Sequence, residues 1–480
     1  MSALCLLSLP AALRCSAYRA LSLTLLGGAV LEAPAEDCWG RLATPGYEAK
    51  RIKTTLFFAG QARDDSTPYG CSQWNNLWTY TLNPEPRENH LNWTNAANRD
   101  VVMDLMVNAG INVVSMSSWG EDFLPCTDGW VTGAAPMQTS PQAHNELFTA
   151  AVGKPLLIMP FIESRANWAM RDEFPRWSDG RVSPGLVSQI ENLILRYLHN
   201  PDHPEWADKW ARVYDHNGTP RYAVVLIHAA SNELGLFDDV KFAEGFDLVA
   251  NEIAKATGGV QVGFFLDAIP PGSTLARTSF KPSALITGAL LRGSDSLLGI
   301  QCFAPEIFSG ESGDGNLLGY KRDFISGWFA TGIPVLVDVS PGYDGHLVFG
   351  ADAKGAYGYS AEWLQGLTAL VNEYGRAGMA YNSWNGYTEG MAGIRTTDKG
   401  NSLYDWLKSL NSEPGTHVDH NFAGDGWGTI AAPFQTVAGA VLAACPGDLV
   451  RIQTGSYPEQ ITIVKALTLQ AASCPVTIGP

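Results

Sequence analysis

The stretch Tyr381-Asn382-Ser383-Trp384-Asn385-Gly386-Tyr387-Thr388-Glu389-Gly390 ends an apolar lead-in with Trp, Tyr, two carboxamides and one carboxylate. That set suits sugar chemistry. An aromatic ring offers a flat apolar face to a pyranose, and amides fork onto vicinal hydroxyls. A carboxylate attacks, shuttles a proton or stabilises an oxocarbenium ion. The same residues also fit a buried aromatic strand end with a surface Glu. A second acid stands at Ser231-Asn232-Glu233, three residues after His228.

Groups so far apart in sequence need a scaffold that brings them to one place. From residue 51 to about 410, short β-branched and aromatic runs alternate with stretches of helical period. This is the pattern of a parallel sheet with crossover helices. The predicted strands are Thr54 to Gly60, Asn112 to Met116, Pro155 to Ile162, Ala223 to His228, Gln261 to Leu266, Leu298 to Phe303, Pro334 to Val339 and Met379 to Ser383. Helices are expected over Asn98 to Ala109, Pro184 to Leu198, Phe242 to Ala256, Lys321 to Ala330 and Ala361 to Tyr374. Strict alternation, with no Gly-x-Gly-x-x-Gly after the first strand, favours an α/β fold of the closed (β/α)8 TIM barrel kind over an open dinucleotide-binding sheet.

In such a barrel the active face is built from the carboxyl ends of the strands. Those positions carry Gln61, Arg63, Asp64 and Asp65, then Trp119, Glu121 and Asp122, then Glu163 and Arg165. Beyond them come Asn232 and Glu233, Asp267, Glu306, Asp338 and Asp344, and lastly Trp384, Asn385 and Glu389. The Asp64-Asp65 pair also fits a solvated turn, and Trp74, Trp78 and Trp93 fit either a stacking platform or ordinary packing.

The Asn232-Glu233 pair closing strand four looks like the acid/base site of many barrel glycoside hydrolases, which implies an Asn holding a sugar hydroxyl and a Glu protonating the departing oxygen. Strand seven ends in Val337-Asp338-Val339-Ser340, where those enzymes usually place a nucleophilic Glu. The strand-eight stretch is similar to the Asn-x-Trp-Asn-Glu-Trp-x-Glu-Gly signature of the glycoside hydrolase family 99 and 71-like group. The resemblance implies a (β/α)8 glycosidase with substrate residues on strand eight. Trp384, Asn385, Glu389 and Gly390 carry over, whereas Gly386 and Tyr387 replace the signature's Glu-Trp and remove one acid.

The expected mechanism has Glu233 as general acid and Glu389 or Glu306 as the partner carboxylate, about 5 Å away for retention or about 6.5–9.5 Å for inversion. Asn232, Trp384, Asn385, Asp267, Asp338, Gln61, Arg63, Asp64, Trp119 and Glu163 are the expected substrate contacts. The contrasting expectation is a carbohydrate-binding or surface-attachment protein that keeps the barrel without the chemistry. A polysaccharide lyase or esterase fits less well, because the tail lacks a Lys/Arg-rich groove and no Gly-x-Ser-x-Gly elbow occurs.

The 480-residue chain has a formal net charge of −16 and no Lys/Arg cluster, which argues against a nucleic-acid partner and for a neutral or weakly charged polysaccharide or oligosaccharide. No Cys-x-x-Cys spacing calls for a metal, and no cofactor is expected. Arg14 and Arg19 precede an apolar run from Ala20 to Leu31 and then Ala33-Pro34-Ala35, the form of a cleavable leader over residues 1–35. The run is shorter than the ~20 residues of a membrane span, so secretion without stable membrane insertion is expected. Six cysteines lie beyond that leader, and Cys71 with Cys126 and Cys445 with Cys474 are the pairs to test first. The barrel is expected over 51–410 and a linker over 411–421. The segment 422–480, with a helix from Phe434 to Ala444 and strands at Asp448 to Ile452, Ile461-Thr462-Ile463 and Leu467-Thr468-Leu469, resembles the opening coils of a pectin-lyase-like parallel β-helix.

Overall fold

A computed structural model describes residues 23–24, 38–59, 95–118, 141–163, 181–227, 239–267, 288, 291–309, 311–345, 356–386, 390–410, 415–424, 426, 428–430, 432–472 and 475–479. Eight strands close on themselves: β1 (Ile52–Phe57), β2 (Val113–Ser118), β3 (Leu157–Glu163), β4 (Pro220–Ile227), β5 (Val262–Leu266), β6 (Leu297–Gln301), β7 (Val335–Asp338) and β8 (Gly378–Tyr381). Each pairs in parallel with the next, and β8 pairs in parallel with β1. The chain is a (β/α)8 barrel. Its helices include α1 (Ala96–Asn108), α2 (Pro141–Ala151), α3 (Pro184–Tyr197), α4 (Asp239–Ala256), α5 (Asp314–Phe329), α6 (Ala361–Tyr374) and α7 (Ser402–Ser409).

Because helices cover the outside and packed side chains fill the inside, the strands are buried on both faces, and several read as unbroken apolar runs such as Val-Gly-Phe-Phe-Leu of β5. Two apolar clusters divide these faces. Ile52, Leu56, Val113, Met159, Phe161, Val225, Phe265, Leu298, Leu336 and Ala380 come from all eight strands and cluster without a helix residue among the described residues, so they fill the lumen. Val114, Met116, Ile158, Leu226, Phe264, Ile300, Val337 and Met379 pack outward with the helices. Leu42 and Val213 close the amino end of the lumen from a short antiparallel strand, Arg212–Tyr214.

Strand β6 is irregular. Phe264 pairs with Leu297 but Phe265 pairs with Gly299, so Leu298 is an extra residue, a β-bulge. Leu298 joins the lumen cluster while Ile300 joins the outer one, and the bulge thereby turns Gln301 inward. Two glycines make room for it. A Cβ at Gly263 would lie 2.8 Å from Leu298 Cγ, and one at Gly299 would lie 2.7 Å from the Pro334 carbonyl oxygen.

The tail forms a second body of parallel strands: β9 (Thr416–Val418), β10 (Leu449–Ile452), β11 (Gly455–Tyr457), β12 (Thr468–Ala471) and β13 (Val476–Ile478). Strand β10 lies between β9 and β12, and β11 pairs with β13, all in parallel. Leu23–Thr24, inside the expected leader, pairs antiparallel with Leu469 and Thr468. The stretch expected as a linker contains β9. Ile461-Thr462-Ile463, expected as a strand, is not one, whereas Gly455–Tyr457 is. The cause is local. Glu459, just before that triplet, is drawn off to cap the helix α8 (Val437–Ala443), its carboxylate accepting from the Val437 and Ala438 N–H groups at 2.9 and 2.8 Å. At the other end, Lys465 donates to the carbonyls of Leu442 and Ala444 at 2.6 and 2.9 Å, so a negative and a positive charge bracket the helix dipole.

The tail is fixed to the amino end of the barrel, away from the strands' carboxyl ends. Cys445 forms a disulfide with Cys38 rather than with Cys474, a pairing that joins the two bodies. Beside it Arg41 makes a two-pronged contact with Asp448 at 3.1 and 3.2 Å, and Arg376 donates to the Ala443 carbonyl. Burial alone would raise the Asp448 pKa, but the Arg41 and Arg51 guanidiniums, with hydrogen bonds from Arg41 and the Cys445 N–H, bring it below the ordinary value. The expected pair Cys71 and Cys126 lies outside the described residues.

Candidate active site

Inward-facing positions at the carboxyl ends of the strands change from apolar to polar. Above Phe161, Phe265, Leu336 and Ala380 stand Ser117 of β2, Asp267 just after β5, Gln301 of β6, Asp338 of β7 and Asn382 just after β8. All five are at most 2% exposed. Burying such groups is costly without partners, so each raises the question of what it meets.

Asp338 is the best held. Lys321 of α5 and Asn382 Nδ2 donate to its carboxylate, and Ser340 Oγ lies at 3.1 and 3.2 Å from the two oxygens. Lys321 also contacts Glu306 Oε2 at 2.9 Å, and the Tyr357 hydroxyl donates to Glu306 Oε1 at 2.8 Å. Trp363 of α6 lies under the same ammonium, 5.9 Å from ring centre to Nζ. Its indole N–H donates to the Ser340 carbonyl at 3.1 Å.

Glu306 reaches this position because Ala304 adopts φ 39° and ψ 60°, a left-handed conformation uncommon for a residue with a Cβ, and turns the chain inward into the 3-10 turn Pro305–Phe308. Glu306 and Lys321 have no exposed surface. One ammonium between two carboxylates leaves an excess negative charge in the interior. Burial therefore raises the Glu306 pKa; Lys321 opposes and the Asp338 charge reinforces. For Lys321, burial would lower the pKa, but the two carboxylates outweigh it and the ammonium is held more tightly than usual. Burial and then the neighbouring Glu306 push the Tyr357 phenol well above its ordinary pKa, so Tyr357 is a fixed donor.

The other groups differ. Asn385 has both ends of its amide on one backbone unit, accepting from Phe58 N–H at 3.0 Å and donating to the Phe58 carbonyl at 2.9 Å. It fastens the chain after β8 to the chain after β1, and the Trp384 N–H to Leu56 carbonyl bond adds to the same seam. Trp384 is fully buried, edge-on to Tyr404 with ring centres 6.2 Å apart. Asn385→Ala is expected to cost about 2 kcal/mol in urea denaturation, since two buried backbone groups lose their partners. An unchanged midpoint would mean that this seam does not hold the barrel closed.

Among the expected site residues, the structure brings Asp338 and Glu306 together through Lys321 and puts Asp267 in the same polar layer. Trp384 and Asn385 lie next to it. Glu163 ends β3, with only its backbone described. Glu233, Asn232, Glu389, Gln61, Arg63, Asp64 and Trp119 lie outside the described residues. Lys321, Tyr357, Gln301 and Asn382 were not expected as site residues. One signal for Lys321 was present: it occupies the apolar stripe Leu317, Lys321, Phe324, Trp328 of α5, where a lysine must find a buried anion. Among the described residues no group of three or more His, Cys, Asp or Glu is placed to hold a metal ion, and no helix is long and apolar enough to cross a membrane.

No family model matches the chain, and no curated protein does. Among solved structures, the chain is similar to the GH99 endo-alpha-mannosidase from Bacteroides thetaiotaomicron, with a TM-score of 0.47 and 12% identity over 75% of this chain and 97% of that one. It is also similar to a glycoside hydrolase-like protein, with a TM-score of 0.47 and 11% identity over 75% of this chain and 93% of that one. Against an exo-beta-1,4-mannosidase from an Opitutaceae bacterium the TM-score is 0.42 and the identity 10%, over 86% of this chain and 74% of that one. The barrel itself is identified by its strand pairing, and the functional reading rests on its residues.

Proposed function

We propose that the chain is a secreted glycoside hydrolase that cleaves a polysaccharide or oligosaccharide at the carboxyl end of its barrel. The observation that carries this reading is the polar layer of Asp267, Gln301, Asp338 and Asn382, which caps a lumen otherwise filled with apolar side chains. Neutral hydroxyls are the ligand such a layer suits, because carboxylates and carboxamides accept from and donate to them without a charged partner.

In the proposed mechanism Glu233 protonates the leaving oxygen and Glu389 is the partner carboxylate. Asp338, fixed by Lys321, Asn382 and Ser340, meets the reacting sugar. The complete burial of Glu306 behind Lys321 supports a positioning role for it rather than attack on substrate. Three further readings accompany this one. The Cys38–Cys445 bond supports export to an oxidising compartment. Parallel pairing of β9 to β13 supports a β-helix-like tail. That tail's attachment opposite the mouth supports a role separate from catalysis.

The test incubates the purified full chain, and its Glu233→Ala variant, with a panel of plant, fungal and bacterial polysaccharides, products being resolved by mass. Hydrolysis by the wild type, reduced at least about 100-fold in the variant with binding retained, is expected. Binding without turnover in both proteins would sink the hydrolase reading in favour of a carbohydrate-binding barrel.

A further inference from the structure

Gln301 brings to the polar layer a carboxamide with both of its polar atoms idle. It is 2% exposed, and neither Nε2 nor Oε1 has a hydrogen-bond partner among the described residues. A buried, unpaired carboxamide is destabilising, whereas a leucine or methionine of similar size would cost nothing there. Its direction is also not a default of the strand. The bulge at Leu298 turns it inward, and the close approaches at Gly263 and Gly299 accommodate that bulge.

Two further idle atoms face the same lumen. Asn382 donates its Nδ2 to Asp338 but its Oδ1 is unpartnered, and Ser117 Oγ is unpartnered on β2, across the barrel from β6. Strand pairing fixes the neighbourhood: Gln301 is in register with Leu336, two residues before Asp338, and Asp338 is in register with Ala380, two residues before Asn382. Gln301, Asp338 and Asn382 thus top three consecutive strands.

We infer that Gln301 and Asn382 form a hydroxyl-reading subsite flanking Asp338, in which the Gln301 carboxamide accepts from one hydroxyl of a pyranose and donates to its neighbour. This rests on the carbohydrate reading above and adds the specificity-determining residue. A carboxamide presents one donor edge and one acceptor edge about 2.2 Å apart, which suits two vicinal hydroxyls better than a carboxylate or a hydroxyl does. A site built to pair with a hydroxyl rejects ligands that lack it, because its own buried groups are then left unpaired. The ligand is a neutral sugar ring entering ring-first, with Asp338 between the two amide readers.

The experiment uses full-length wild type, Gln301→Met and Gln301→Glu, with methyl pyranosides of the gluco, manno, galacto and xylo series as probes. Binding is followed by ligand-observed NMR and stability by thermal unfolding without ligand. Wild type is expected to bind a subset of the epimers. Gln301→Met should lose about 10- to 100-fold in affinity for them while its Tm rises by about 2 °C, since the idle polar group is gone. Gln301→Glu keeps the shape and the acceptor edge but not the donor, and should weaken binding and change the order of preference among the epimers. A fall in Tm for Gln301→Met would show that the carboxamide serves the fold and would overturn the inference. So would unchanged affinity in both variants. If the wild type binds no pyranoside while hydrolysing no polysaccharide, the carbohydrate reading fails and the subsite with it; hydrolysis with Gln301-independent binding overturns the subsite alone.

Discussion

Replacing Lys321 by Met should lower stability by about 3–5 kcal/mol, because Glu306 and Asp338 then face each other in the interior with no cation between them. The loss should depend on pH in a defined direction. Burial and the Asp338 charge raise the Glu306 pKa, so the folded protein binds this proton more readily than the unfolded chain does. Stability from that proton is present below the ordinary carboxylate value of 4.5 and is lost as pH rises through the folded value, which the substitution moves higher still. The deficit of Lys321→Met should therefore shrink on acidification from pH 7 toward pH 5. Adding Glu306→Gln should restore part of it at neutral pH by leaving one carboxylate. In the wild type, Lys321 acts at the other end of the scale. Its raised pKa gives stability present below 10.5 and lost as pH climbs beyond. Urea midpoints of the three proteins between pH 5 and 8 test the argument, and identical midpoints for wild type and Lys321→Met would refute the buried triad.

Asp338→Asn should do the reverse, costing little stability and much activity. The substitution leaves Lys321 with Glu306 as a balanced pair, while the new amide still accepts from Ser340 or Asn382, so the loss should stay near 1 kcal/mol. On whichever polysaccharide the wild type hydrolyses, kcat should drop by at least about 100-fold with KM changed far less. A parallel fall of stability and activity would indicate a packing role alone. The opposite orders of the two variants, Lys321→Met worse for stability and Asp338→Asn worse for turnover, separate the group that holds the site from the group that faces the substrate.

The barrel was legible because its signal is local and repeated. Most of the strands, buried on both faces, are largely apolar, and all eight form within a few residues of their expected limits. Helix α6 follows its expected range, but α5 begins seven residues earlier than expected, over Asp314-Gly315-Asn316, which carry low helix propensity and are helical through Asp314 and its bonds to Gly358 N–H and Ser360. Helix α2 was missed although Ala143, Leu147 and Ala151 keep a fourfold spacing.

The site was legible only in part. Searching strand ends for acids found Asp267, Glu306 and Asp338, since an acid at that position has few other reasons to be there. It passed over Gln301 because a neutral amide carries no such mark and because a bulge shifts the phase of β6. Lys321 comes from a helix and Tyr357 from a two-residue strand paired antiparallel with Gly342–Tyr343, and their meeting with Glu306 depends on contacts 15 and 51 residues apart in sequence that no spacing rule encodes.

The extra residue in β6 also bears on how this chain should be compared with distant relatives. A regular strand with one residue fewer between Leu297 and Ile300 would keep Ile300 opposite Leu266 and the amide inward, so a barrel without the bulge reaches the same wall after a one-residue slip in sequence. An alignment by residue type that ignores the slip will match an outward position with an inward one. Two strands of equal length, one bulged and one regular, would then offer their ligands different walls.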